Sequence, residues 1–108
     1  MCLDARDHAK DIGTKDITGH TGSDGSTIGQ RISRYGDWNR SVGENISYNA
    51  RGARSTVVRL LVDDGVSSRG HRENILNRNF RYAGAAVASH SSRTNSCVID
   101  YASEFTEK

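Results

Sequence analysis

The chain has 108 residues, 34% of them hydrophobic, with 11 glycines, no proline and a formal net charge of +2 from 15 basic and 13 acidic side chains. That is length for one domain. No apolar run nears the roughly 20 residues that cross a bilayer, and the absence of a basic stripe argues against a nucleic-acid partner. The opening MCLDARDHAK lacks the apolar core of a signal peptide.

In chain order, Leu3, Ala5, Ala9 and Ile12 form a helical stripe with Gly13 as its stop. A helix that starts almost at Met1 reads as an N-terminally trimmed single domain, 1–108. Thr18 to Ser26 is all turn chemistry, glycine and short polar side chains. A second helix is expected from Thr27 to Tyr35, capped by Ser26 or Thr27 and ended by Gly36. Asp37 to Gly43 reads as a loop. Val57, Val58, Leu60, Leu61 and Val62 make Thr56 to Asp64 apolar nearly all round, so this helix is expected to be buried. A short helix follows over Arg69 to Asn77, with Ile75 and Leu76 inward. Ala83 to Ser89 and Cys97 to Phe105 read as strands joined by a turn at 91–95. Helices before strands give an α+β fold, helices packed on a small antiparallel sheet.

Two cysteines, Cys2 and Cys97, are too few for a four-cysteine zinc site, and Cys97 reads as a small buried apolar residue. Arginine outnumbers lysine 12 to 3. Its planar fork suits partly buried carboxylate contacts. So small a core needs support from polar networks, a disulfide, a metal or a partner. Trp38 and Tyr35 are expected to pack in the core or to wall a pocket.

Of the four histidines, His20 and His71 lie in Gly-flanked polar segments, as does Glu44, while His8 and His90 do not. Asp63 and Asp64 close the apolar helix shortly before His71. Two imidazoles and two carboxylates brought together suit a divalent metal. The same groups suit acid/base work on a small substrate. No nucleophile elbow, phosphate loop, His-Glu-x-x-His or calcium loop is present, and no motif supports Ser23 or Ser26 as a nucleophile.

Six segments in order resemble one family. They are Ala5-Arg6-Asp7-His8, His20-Thr21-Gly22-Ser23-Asp24-Gly25-Ser26, Gly43-Glu44-Asn45-Ile46, Val62-Asp63-Asp64-Gly65-Val66, Gly70-His71-Arg72-Glu73-Asn74-Ile75-Leu76 and Cys97-Val98-Ile99-Asp100-Tyr101-Ala102. Together they resemble the CAP superfamily (cysteine-rich secretory protein, antigen 5, pathogenesis-related 1; the SCP domain) in its SCP-like extracellular branch. The resemblance implies an α-β-α sandwich and a secreted, extracellular location. It also implies a cleft in which His20, His71, Glu44 and Asp64 (alternatively Asp63) hold Zn2+ or another divalent cation. Relatives carry Glu where Asp64 stands, one methylene longer. They often have proline at Ser67, so the segment from Gly65 to Gly70 is expected to be looser here. They often carry a second cysteine near Val87, so Cys97 is expected to be a free thiol unless Cys2 reaches it. The implied function is a binding module for a metal, a small or lipidic ligand such as a sterol, or a partner protein. The alternatives are a metal-dependent hydrolase or peptidase using Glu44 and His71, and an interaction module with a vestigial cleft.

Overall fold

A computed structural model describes residues 1–48, 52, 56–57, 60, 70–91, 93 and 95–107. It holds α1 (Cys2–Lys15), α2 (Ile28–Ser33), β1 (Gly36–Tyr48), α3 (Gly70–Leu76), β2 (Tyr82–Ser89) and β3 (Asn95–Glu107). The strands form one antiparallel sheet in the order β1-β3-β2. The expected α+β fold, helices on a small antiparallel sheet, is the one observed.

α1 presents Ala5, Ala9 and Ile12 to Ile46 of β1 and Val98 of β3, and these five side chains make up the buried apolar cluster. The helix does not stop at Gly13 as its sequence implies. It runs on to Lys15 and ends at Asp16, whose φ of 54° makes a left-handed cap with its N–H on the Ile12 carbonyl. Gly13 serves contact instead: a Cβ there would lie 2.0 Å from the Ser89 carbonyl oxygen. At the other end of the helix, a Cβ on Gly84 of β2 would lie 2.3 Å from the Met1 carbonyl carbon. These two glycines let α1 lie directly on β2.

α2 is opened by Thr27, which forms a capping box with Gln30. Gly36, expected as its stop, begins β1. The Asp37 to Gly43 segment, expected as loop, is strand, paired from Gly36↔Glu107 to Tyr48↔Ser96 with a bulge between Asn39 and Val42. Trp38 lies over Gly29 and donates to its carbonyl at 2.9 Å. β2 and β3 match their expected strands within two residues at each end.

Side chains alternate across the sheet. Glu44, Ile46, Val98 and Asp100 therefore share the α1 face. Asn45, Cys97 and Tyr101 share the other, where Asn74 of α3 donates to Asn45 Oδ1 at 2.9 Å and Phe80 stacks on Tyr101 with ring centres 5.5 Å apart. Helices thus lie on both faces. Leu76, expected inward, is 57% exposed. Thr56, Val57 and Leu60 are helical, and the rest of the apolar helix, with Asp63, Asp64 and the 65–69 segment, lies outside the described residues. Cys2 and Cys97 are both free, Cys97 buried.

Candidate functional site

Glu44 is the centre of the site. Its side chain is 1% exposed and points from β1 into the space between the sheet, α1 and α2. Arg31 Nη2 donates to Glu44 Oε2 at 2.6 Å, and His20 Nδ1 donates to Oε1 at 2.9 Å. His8 Nε2 stands 3.8 Å from the same Oε1.

The loop that carries His20 is fastened by the same residues. Arg31 Nη1 donates to the carbonyls of His20 at 2.9 Å and Ser26 at 3.3 Å. His8 Nε2 donates to the Gly19 carbonyl at 2.8 Å, and the Gly19 N–H donates to Tyr48 Oη at 3.0 Å. Gly19 sits at φ 101°, a conformation that glycine takes without strain. Asp11 of α1 accepts from both the backbone N–H and the hydroxyl of Ser23.

Burial alone pushes the Glu44 carboxyl up. Hydrogen bonds from His20 and Asp100 and the charge of Arg31 outweigh it and hold the carboxyl below its ordinary range. Glu44 therefore only accepts, so His20 must hold its proton on Nδ1. Burial keeps His8 neutral, lowering its pKa against the pull of Glu44. With Nε2 donating to Gly19, its Nδ1 is buried without a hydrogen-bond partner.

Asp100 lies opposite Glu44 on the central strand, fully buried. None of the described N–H or hydroxyl groups is within hydrogen-bond distance of its oxygens or of those of the equally buried Asp4, whose Oδ1 has the Met1 ammonium 3.6 Å away. Its polar neighbours are the carboxyls of Glu44 and Asp4, so a bond between them requires a shared proton. Burial, first, and then the two adjacent carboxyls raise the Asp100 pKa far above the ordinary carboxylate range.

Of the sequence candidates, the structure brings His20 and Glu44 together. The backbone of His71 lies in the first turn of α3; its side chain, with Asp63 and Asp64, lies outside the described residues. His90 is held elsewhere, donating from Nε2 to the Ile17 carbonyl at 2.8 Å. Sequence reasoning passed over His8, Arg31, Asp4 and Asp100. Three of them carried a signal: a polar residue in the apolar phase of its element. His8 falls on the Ala5-Ala9-Ile12 stripe, Arg31 beside Ile28 and Ile32, and Asp100 between Val98 and Ala102. Among the described residues no group of three His, Cys, Asp or Glu side chains is set to hold a metal ion.

A cavity of about 410 Å³ adjoins the site, with His8, Asp11, Ser23, Ser26, Arg31 and Arg34 in its wall. A family model described as the cysteine-rich secretory protein family, CAP, matches residues 1–101. The chain belongs to the CAP family. This CAP domain is similar in structure to an extracellular protein containing a SCP domain from Bacillus anthracis, with TM-score 0.69 and 23% identity, over 94% of this chain and 30% of that one. It is also similar to an outer surface protein from Borrelia burgdorferi, with TM-score 0.67 and 19% identity, over 98% of this chain and 75% of that one. The CAP domain thus spans less than a third of the Bacillus protein, and these likenesses establish a common fold. No curated protein matches it. No helix among the described residues is long and apolar enough to cross a membrane.

Proposed function

We propose that this CAP domain is a secreted binding module whose cleft presents His20, oriented by Glu44, to a divalent cation or a small polar ligand. The supporting observation is the 2.9 Å bond from His20 Nδ1 to a buried, ionised carboxylate on a ring whose side chain is 56% exposed. That bond fixes the tautomer and leaves Nε2 as the basic nitrogen. A carboxylate behind a histidine is the usual outer partner of a metal-binding imidazole.

Glu44 itself fits the orienting role better than that of a direct ligand. Both its oxygens are engaged, one by a guanidinium at 2.6 Å whose charge opposes a cation at the same atom. Of the four residues that the family resemblance implies as ligands, His20, His71 and Asp64 (or Asp63) would then hold the ion, with Glu44 behind His20. Zinc so held supplies a Lewis acid and a bound water with a pKa near 7. The cavity wall beside the site carries mostly charged and hydroxyl side chains, which favours a polar ligand over a sterol or lipid. Arg31 also keeps Glu44 too acidic to serve as a general base near neutral pH, which favours binding over hydrolysis. The extracellular and surface proteins that share the fold support secretion.

Zinc titration of the protein labelled in its histidine rings tests this reading. The His20 signals are expected to shift to saturation, and the shift to vanish in His20→Asn. Glu44→Gln is expected to weaken binding about 10–100-fold. No shift at millimolar zinc overturns the metal reading. Peptide hydrolysis by the native protein that His71→Ala abolishes would favour the hydrolase instead.

A further inference from the structure

A second cavity, of about 370 Å³, lies where the β1 bulge meets the entry to β2 and the far half of β3. Its wall includes Arg40, Ser41, Arg78, Arg81, Ser103 and Glu104. Three arginines and one glutamate line it, a local excess of +2 that equals the net charge of the whole chain.

That carboxylate does little to neutralise them. Arg40 Nε stands 3.8 Å from Glu104 Oε1, with the two side chains 75% and 51% exposed. Arg78 and Arg81 form no ion pair among the described residues. Below them Ser41 Oγ and Ser103 Oγ are 2.6 Å apart. One hydroxyl of that pair donates to the other, so the second O–H remains to donate to a ligand. Ser103 is only 5% exposed, a donor set into the floor.

The frame around these groups is fixed. Arg40 sits at φ 71°, which a non-glycine residue rarely adopts, with its N–H held by Asn39 Oδ1 at 2.9 Å. Such strain concentrates at binding sites. The Arg81 N–H donates to the Ala102 carbonyl at 3.1 Å, and Phe80, between Arg78 and Arg81, is stacked on Tyr101.

Guanidinium forks match the oxygens of a tetrahedral anion, and each N–H bond to such an anion is charge-assisted. The volume falls in the range of small-molecule sites and exceeds a bare phosphate. A wall of arginine and hydroxyl groups selects a hydrophilic body for the rest of the ligand. We propose that this cavity binds a tetrahedral oxyanion carried on a sugar-sized molecule, a phosphate or a sulfate ester. Ser103 alternates with Ala102 on β3 and so lies on the face away from Glu44, which makes the proposal independent of the metal reading.

Amide and arginine-side-chain NMR titrations at fixed ionic strength, with glucose 6-phosphate, glucose 6-sulfate and plain glucose, provide the test. Saturable shifts at Arg40, Arg81 and Ser103 are expected with at least one ester and none with glucose; the tighter ester identifies the source. Arg81→Gln is expected to weaken binding roughly tenfold or more. Glu104→Gln, which removes the opposing charge, is expected to strengthen it. Non-saturating shifts with both esters, equal shifts with glucose, or unchanged affinity in a folded Arg81→Gln protein would overturn the proposal.

Discussion

Glu44 and Asn45 are neighbours in β1 and face opposite ways. Both are buried, yet their surroundings are built on different chemistry. On the α1 side, Glu44 gathers Arg31, His20, His8 and Asp100, and leaves Arg31 Nε and His8 Nδ1 without a hydrogen-bond partner. On the other side, Asn45 donates to Tyr101 Oη at 3.2 Å and accepts from Asn74, and Asn74 also reaches the Glu44 carbonyl at 3.1 Å. None of those neutral groups is left orphaned. Neutral amides can be satisfied in place and then serve only to join layers. Buried charges that are incompletely satisfied raise the stakes on that face, and that is where a ligand has something to gain by binding.

The contrast is broken most sharply by Arg31→Met. Removing one partner of a buried pair strands the other charge, so a loss of about 3–5 kcal/mol is expected in urea unfolding. A loss below about 1 kcal/mol, the scale of an exposed pair, would show the charged face to be effectively solvated.

Asp100→Asn sharpens the contrast through pH. Asp100 holds a proton in the folded protein that the unfolded chain releases above its ordinary pKa of 3.8, so its contribution to stability falls as pH rises past that value. Glu44 acts in the opposite sense. Its folded pKa is drawn from 4.5 to about 2, so its contribution is full above 4.5 and is lost as pH falls towards 2. His8, kept neutral, adds stability above 6.5 that is lost below it. Asn mimics the protonated acid, so Asp100→Asn is expected to flatten the decline toward alkaline pH and leave the acid limb in place. An unchanged alkaline limb in urea midpoints would refute the shared proton.

Smaller effects are expected on the neutral face. Asn74→Ala is expected to cost about 1 kcal/mol, since water can reach part of what it leaves. Tyr101→Phe, which keeps the stack on Phe80, is expected to cost about 0.5–1 kcal/mol. A larger loss from either, measured by the same unfolding, would mean that this face holds more than a structural joint.

The fold was legible in the sequence where apolar periodicity was strong. The Ala5-Ala9-Ile12 stripe, the Thr27 cap and the Val98 strand carried their own signals. The misreadings have local causes. Asp37 to Gly43 is polar and Gly-flanked, and only pairing with β3 makes it a strand. Gly13 looks like a stop, but its missing Cβ is used for contact with Ser89. His20 and Glu44 were found as candidates by residue type and loop context. Arg31, His8 and Asp100 were passed over because each sits in an apolar phase, where a charge reads as an interruption rather than as the point of the pattern.

The strand order carries a consequence for the life of the chain before it is folded. β3 lies between β1 and β2, yet follows both in sequence. Until residues 95–107 have left the ribosome, neither earlier strand has its partner among the described residues, and the pairings that then form, such as Gly36 with Glu107, close long loops. The central strand of the sheet is thus the last to be synthesised. Such a chain carries two unpaired strand edges until its last strand emerges, which leaves the sheet open to mispairing for most of synthesis.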